Sequence, residues 1–173
     1  QADPKLGPTI AQKFVDAKVA GVAGHLNSGV TIPASAVYNQ AGIPMISGSA
    51  TNPKLTEQGF KTAFRTMTND RQQGKVLGEF AVKQMGGKKV AIVDDRTAYG
   101  QGVADEFEKA AKAGGATIVA REFTTDKATD FAAILTKIKS KKPDLVMYGG
   151  MDAQAGPMAQ QLKKLGVKAK MVF

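Results

Sequence analysis

Short apolar runs alternate with amphipathic stretches of helical period along this chain, and that alternation leaves few folds open. Parallel strands must be joined by crossovers long enough to hold a helix, so strand–helix alternation points to βαβ units. Lys89–Val93, Ala116–Arg121, Asp144–Tyr148 and Lys170–Phe173 read as strands. Residues 70–85, 100–113, 129–141 and 153–165 read as the intervening helices. Their inward stripes are Leu77, Phe80, Ala81 and Met85; Val103, Phe107, Ala110 and Ala111; Phe131, Ile134, Leu135 and Ile138; and Met158, Leu162 and Leu165. Gly86-Gly87, Gly114-Gly115, Pro143 and Gly166 stop them. Upstream, a helix over 4–17 (Ile10, Phe14 and Val15 on one face) precedes a strand at Val19–Ala23. A second helix covers 32–41, with Thr31 as its N-cap and Pro33 in its first turn, followed by strands at Ile43–Ile46 and Ala63–Thr66. The predicted class is α/β, a parallel-sheet layer sandwich. Thr66-Met67-Thr68-Asn69-Asp70 is polar and non-periodic, so it reads as a crossover between two lobes. A doubly wound domain normally starts with a strand, whereas this chain starts with a helix and ends within a strand, which reads as cut at both ends.

Composition narrows the function classes. With 173 residues and 43% hydrophobic content, the chain has enough apolar material for a sizeable core. It contains no run of about 18 apolar residues, so no membrane insertion is expected, and Gln1–Lys5 shows no signal-peptide pattern. The absence of cysteine excludes disulfides and thiolate chemistry. A net charge of +9 raises the question of nucleic acid. The lysines are interspersed with acids, however, as in Asp105-Glu106-Phe107-Glu108-Lys109. The cluster Lys137–Lys142 sits at a helix C-terminus, where the dipole favours cations. No aromatic interleaves the basic residues as a stacking surface would require. Nucleic acid is not an expected partner.

Ligands of open α/β sheets sit beyond the carboxyl ends of the strands. Those ends carry Asn27, Ser28 and Gly29; Ser47, Ser49 and Thr51; Asp94, Asp95, Thr97 and Tyr99; and Gly149, Gly150, Met151 and Asp152. Hydroxyls, glycines and bare N–H groups suit a carboxylate without a metal. The same Ser and Thr residues also serve turns and caps. Asp94-Asp95 after Val-Ala-Ile-Val resembles the magnesium-binding pair of receiver domains, but Gly149 fills the phosphoacceptor position and that reading fails. The single histidine, His25, has no cysteine or acid near it in sequence and reads as structural; no P-loop or dinucleotide fingerprint occurs. No catalytic residue, metal or cofactor is expected, and the chain reads as a binder rather than an enzyme.

Several segments carry a family likeness in order along the whole chain. They are Gly24-His25-Leu26-Asn27-Ser28, Thr31-Ile32-Pro33-Ala34-Ser35 and Gly42 through Thr51, then Phe64-Arg65-Thr66, Val90 through Asp95, Tyr99-Gly100-Gln101-Gly102 and Asp144 through Gly150. Together they resemble the leucine/isoleucine/valine-binding proteins of bacterial ABC importers. The resemblance implies a two-lobed, type I periplasmic-binding-protein-like clamshell, with 1–67 part of the N-terminal lobe and 68–173 most of the second. It implies a periplasmic protein, its signal removed, that captures a branched-chain or other hydrophobic amino acid, or a similar small carboxylate. Lobe closure then presents the closed form to the ABC transporter membrane subunits.

By that resemblance Ser28 holds the ligand's carboxylate, Ser49 adds a backbone N–H and Thr51 a hydroxyl, and Tyr99 closes over the ligand. Met151 stands where the family often has a second tyrosine, and Asn27 and Ala50 complete the expected ligand-binding set from the same two loops. The family's loop disulfide is impossible here, with Ala2 and Asn27 at its positions. A sensor or receptor domain of the same fold is the alternative reading.

Overall fold

The structure, a computed structural model, describes residues 3–173; Ala2 lies outside the described residues. The chain divides at Asp70/Arg71 into two compact units. In the first, β1 (Val22–Ala23), β2 (Met45–Ser47) and β3 (Ala63–Arg65) form a parallel sheet in the order β1-β2-β3. The helices α1 (Leu6–Asp16), α2 (Ser28–Gln40) and the short α3 (Lys54–Glu57) accompany it. Their shared core gathers Ala11, Ala34, Tyr38, Ile43, Met45, Leu55 and Ala63.

Three expectations for this unit are corrected. The first strand is two residues rather than Val19–Ala23. The helix expected at 32–41 begins at Ser28, with Asn27 in the N-cap position, so Thr31 is not its cap. Instead the Thr31 hydroxyl donates back to the Asn27 carbonyl at 2.8 Å, and Pro33 sits inside the helix. Finally, α1 meets its neighbour through Gly7 and Ala11 rather than Ile10 and Phe14, which stay partly exposed. A Cβ on Gly7 would stand 2.6 Å from the Val30 carbonyl oxygen, so only glycine permits that approach.

The second unit holds a four-stranded parallel sheet, ordered β5 (Thr117–Phe123), β4 (Lys89–Asp94), β6 (Leu145–Gly149), β7 (Lys170–Val172). Side chains alternate across a strand with period two, and the two central strands show it. Val90, Ile92, Leu145 and Met147 join one core with Val103, Phe107 and Ala111 of α5 (Ala98–Ala113). Ala91, Val93, Val146 and Tyr148 join another, with Leu135 and Ile138 of α6 (Ala132–Ser140) and Met158 and Leu162 of α7 (Asp152–Lys164). Buried on both faces, β4 and β6 read as continuous apolar runs.

On the first of these faces lies α4 (Asp70–Lys83). It touches α5 through Gly74 and Gly78, where added Cβ atoms would fall 2.6 Å from the Glu106 Cβ and 2.7 Å from the Ala110 Cβ. That contact turns Phe80 outward to 50% exposure, correcting its expected inward position. Two helices also begin elsewhere than expected: α5 at Ala98, because Thr97 caps it, and α6 at Ala132. Gly115, at φ 92, supplies the left-handed turn from α5 into β5.

Candidate functional site

The sequence-predicted residues of the first unit come together at the carboxyl ends of β1 and β2. Ser47, the last residue of β2, organises both loops. Its hydroxyl donates to the His25 carbonyl at 2.7 Å and accepts from the Ala50 N–H at 3.0 Å and the Ser49 N–H at 3.3 Å. The loop after β1 is thereby fastened to the loop after β2. A second tie runs from the Asn52 N–H to the Ser28 hydroxyl at 3.2 Å. Ser28 is the first residue of α2 and keeps its own O–H proton to donate.

Arg65 braces the second loop from β3, reaching the Asn52 carbonyl at 3.1 Å, the Ala50 carbonyl at 3.5 Å and the Thr56 hydroxyl at 3.3 Å. Asn27 is half-buried, its side chain makes no cap bond, and its carbonyl accepts the first bonds of α2. Ser49 is half-buried, while Ala50 is buried. Ser28 and Thr51 are 1% and 4% exposed, and the Thr51 hydroxyl has no hydrogen-bond partner. A buried hydroxyl without a partner is uncommon and costs free energy until something satisfies it.

His25 is held by Tyr38 of α2, with Nε2 3.0 Å from the phenolic oxygen and the rings stacked at 5.9 Å. Burial pushes the His25 imidazole below its usual pKa and the Tyr38 phenol above its own. The structural reading of His25 fits this geometry.

Tyr99 and Met151 belong to the second unit, at the carboxyl ends of the adjacent strands β4 and β6. Tyr99 is the second residue of α5, half-buried against the core that contains Val103 and Phe107. Met151 takes the N-cap position of α7 and is half-buried. Asp94 and Asp95 lie at the same edge, and each is engaged. Asp94 accepts from Arg121 at 2.8 Å and from the Arg96 N–H at 3.0 Å. Arg121 also reaches Asp105 at 2.8 Å and Glu108 at 3.4 Å. Asp95 accepts the Thr97 hydroxyl at 2.6 Å and the Thr97 N–H at 2.9 Å on one oxygen; the other oxygen is buried without a partner. Burial, set against those two bonds, pushes the Asp95 carboxyl above the usual carboxylate range.

What this arrangement offers is a set of neutral donors at two fastened loops, suited to an anion. The family profile described as periplasmic binding protein matches residues 1–173. The chain belongs to the periplasmic binding protein family. That membership implies an extracytoplasmic location, and none of the helices in the described residues is long and apolar enough to cross a membrane.

Among relatives of this family member, Leu/Ile/Val-binding protein homolog 1 of Brucella abortus (strain 2308) is 42% identical over 171 residues, covering 99% of this chain and 46% of the relative. Leu/Ile/Val-binding protein BraC3 of Rhizobium johnstonii is 39% identical over 170 residues, covering 98% of this chain and 46% of its own. Among solved structures, the branched-chain amino acid transporter substrate binding protein LivJ of Streptococcus pneumoniae, in complex with isoleucine, superposes with a TM-score of 0.86. It is 30% identical, covering 98% of this chain and 48% of that one. The chain thus spans about half the length of the relatives it matches. These relatives are named as Leu/Ile/Val-binding and substrate binding proteins.

Sequence reasoning missed the central part played by Ser47, the brace from Arg65 and the Asn52 N–H. Arg65 left a signal, a basic residue at a strand's carboxyl end inside the Phe64-Arg65-Thr66 motif. The Asn52 N–H left none, since every residue but proline has one.

Proposed function

We propose that this chain is part of a periplasmic solute-binding protein that captures a branched-chain or other hydrophobic amino acid, or a similar small carboxylate, for an ABC importer by clamshell closure. Residues 1–67 contribute to one lobe and 68–173 to the other; each compact unit having its own core supports this. The observation that carries the reading is the pair of fastened loops, in which Ser28 retains a proton to donate and the buried Thr51 hydroxyl has no protein partner. A carboxylate satisfies both through charge-assisted hydrogen bonds, with the Ser49 N–H beside them. Asn27 and Ala50 shape the same loops. Tyr99 and Met151 supply apolar surface for the ligand's side chain.

The ligand leaves unchanged in this reading, and the placement of the titratable groups supports that. His25 is spent on Tyr38, Asp94 on Arg121 and Asp95 on Thr97, so each serves the fold. The closed form docks on the transporter's membrane subunits.

The test is a thermal-shift screen of the native protein against amino acids and small carboxylates, because a ligand that binds the folded state raises its melting temperature by mass action. Leucine, isoleucine or valine is expected to raise it. In Ser28→Ala/Thr51→Val that shift disappears, with affinity falling about 100-fold or more for two charge-assisted bonds of ~1.5–3 kcal/mol each. Unchanged affinity in the double variant rules out the carboxylate site. A screen in which no amino acid or carboxylate shifts the melt rules out the function.

A further inference from the structure

Tyr99 stands between two residues that a single carboxylate holds in place. Thr97 is the N-cap of α5, with extended backbone at φ −75 and ψ 160, and its hydroxyl accepts from the Gly100 N–H at 2.9 Å. The same hydroxyl donates to an Asp95 carboxylate oxygen at 2.6 Å, and that oxygen also takes the Thr97 N–H at 2.9 Å. Thr97 is therefore fixed through both its backbone and its side chain.

Asp95 is anchored in turn, its N–H bonding the Gly149 carbonyl at the end of β6 at 3.0 Å. On the other side of Tyr99, Gly100 lies so close that an added Cβ would overlap the same Asp95 oxygen and the Gly149 carbonyl oxygen. The first turn of α5 is thus pressed onto the ends of β4 and β6, with Tyr99 between its two fixed points.

A helix N-cap normally needs no partner of its own. Ser or Thr accepts one amide N–H and its hydroxyl proton goes to solvent. Here the proton goes to a buried carboxylate, 2% exposed, which removes the rotational freedom of the capping group. The adjacent acid, Asp94, is committed to Arg121 and plays no part in this clamp.

We infer that Asp95 and Thr97 are positioning residues for ligand capture, fixing the first turn of α5 so that Tyr99 meets the solute in a set place. This rests on the reading above, in which Tyr99 contacts the ligand. Neither Asp95 nor Thr97 touches the solute; both act through Tyr99, and affinity depends on them only while that ring is present.

The test is a double-mutant cycle on the native protein, read by titration calorimetry with L-leucine, L-isoleucine and L-valine in turn. Thr97→Val keeps the shape and removes the hydroxyl; it is expected to weaken binding about five-fold, the scale of a lost cap, while Thr97→Ser stays close to the unmutated protein. In the Tyr99→Ala background the Thr97→Val effect is expected to vanish, because residues acting through one another are non-additive. A merely structural Thr97 weakens binding equally in both backgrounds, and that result overturns the proposal, as does full affinity in Thr97→Val when Tyr99→Ala binds weakly. Tyr99→Ala with undiminished affinity, or an unmutated protein that binds none of the three, instead overturns the underlying reading and the proposal with it. Asp95→Asn, which keeps an oxygen for the Thr97 N–H, runs through the same cycle and decides the matter if Thr97→Val does not fold.

Discussion

Replacing Ser47 with alanine removes one oxygen and strands three groups at once. The Ala50 N–H is buried and bonds that oxygen at 3.0 Å, so its loss carries a desolvation cost of about 1–3 kcal/mol. The His25 carbonyl, 2.7 Å away on a half-buried residue, has a second lone pair and partial access to water, adding about 1 kcal/mol. The Ser49 N–H, at 3.3 Å on a half-exposed residue, finds water and adds little. The expected destabilisation is therefore about 2–4 kcal/mol. With a urea slope of about 2 kcal/mol/M, the unfolding midpoint falls by about 1–2 M. On the proposed carboxylate site, ligand affinity falls as well, because the loop carrying Ser49 is no longer tied to the loop carrying Ser28. The assay is urea denaturation followed by far-UV circular dichroism, paired with leucine titration. A midpoint shift equivalent to less than about 0.5 kcal/mol, the range of an ordinary surface substitution, refutes the claim that Ser47 fastens the two loops.

Two further outcomes are expected. Gly149→Ala places a Cβ against the Gly100 carbonyl oxygen and 3.0 Å from the Ala104 Cβ; chemical denaturation is expected to show a loss of about 1–3 kcal/mol, and a neutral result refutes the close approach of β6 and α5. Burial lowers the folded-state pKa of His25, so the unfolded chain takes up a proton first as pH falls, and the stability due to neutral His25 is lost from about 6.5 downward through the folded value; melts across this range should lose that acid sensitivity in His25→Gln, and an unchanged slope refutes the assignment.

The second unit was legible because its central strands are buried on both faces. Val90–Val93 and Leu145–Tyr148 had to be apolar throughout, and no helix of that length between glycine and proline stops competes with the strand reading. The first unit was harder to read. β1 pairs with β2 alone in the described residues, so the apolar run from Val19 exceeds the two residues that form the strand. Pro33 suggested a helix start, because proline is most at home in a first turn. The actual start lies at Ser28, and the proline is carried in the interior. Phe80 has the helical spacing of a core residue, yet contact between α4 and α5 at Gly74 and Gly78 points it outward; hydrophobic period does not register where two backbones meet. At the candidate site, the residue types at the strand ends could be named from sequence. Which of them bind each other could not, since Ser47, Ser28 and Asn52 are joined through backbone groups that carry no compositional mark.

Asp94 and Asp95 show how a pair that suggests chemistry in sequence is divided where a strand ends. Asp94 is the last residue of β4, and Asp95 is the first residue beyond it. Asp94 continues the Val90–Ile92 side and meets Arg121, a guanidinium that also answers Asp105 and Glu108. Asp95 turns instead to the Thr97 hydroxyl and the start of α5. Two carboxylates sharing one space would compete for a proton and could do acid–base work. Held on separate partners, one neutralised by an arginine and the other accepting two bonds from a helix cap, they have no proton in common. The charge they carry goes into holding the strand end, the β5 edge and the first turn of α5 in fixed relation. In the proposed function, where the solute leaves unaltered, that rigidity serves the ligand contact assigned to Tyr99.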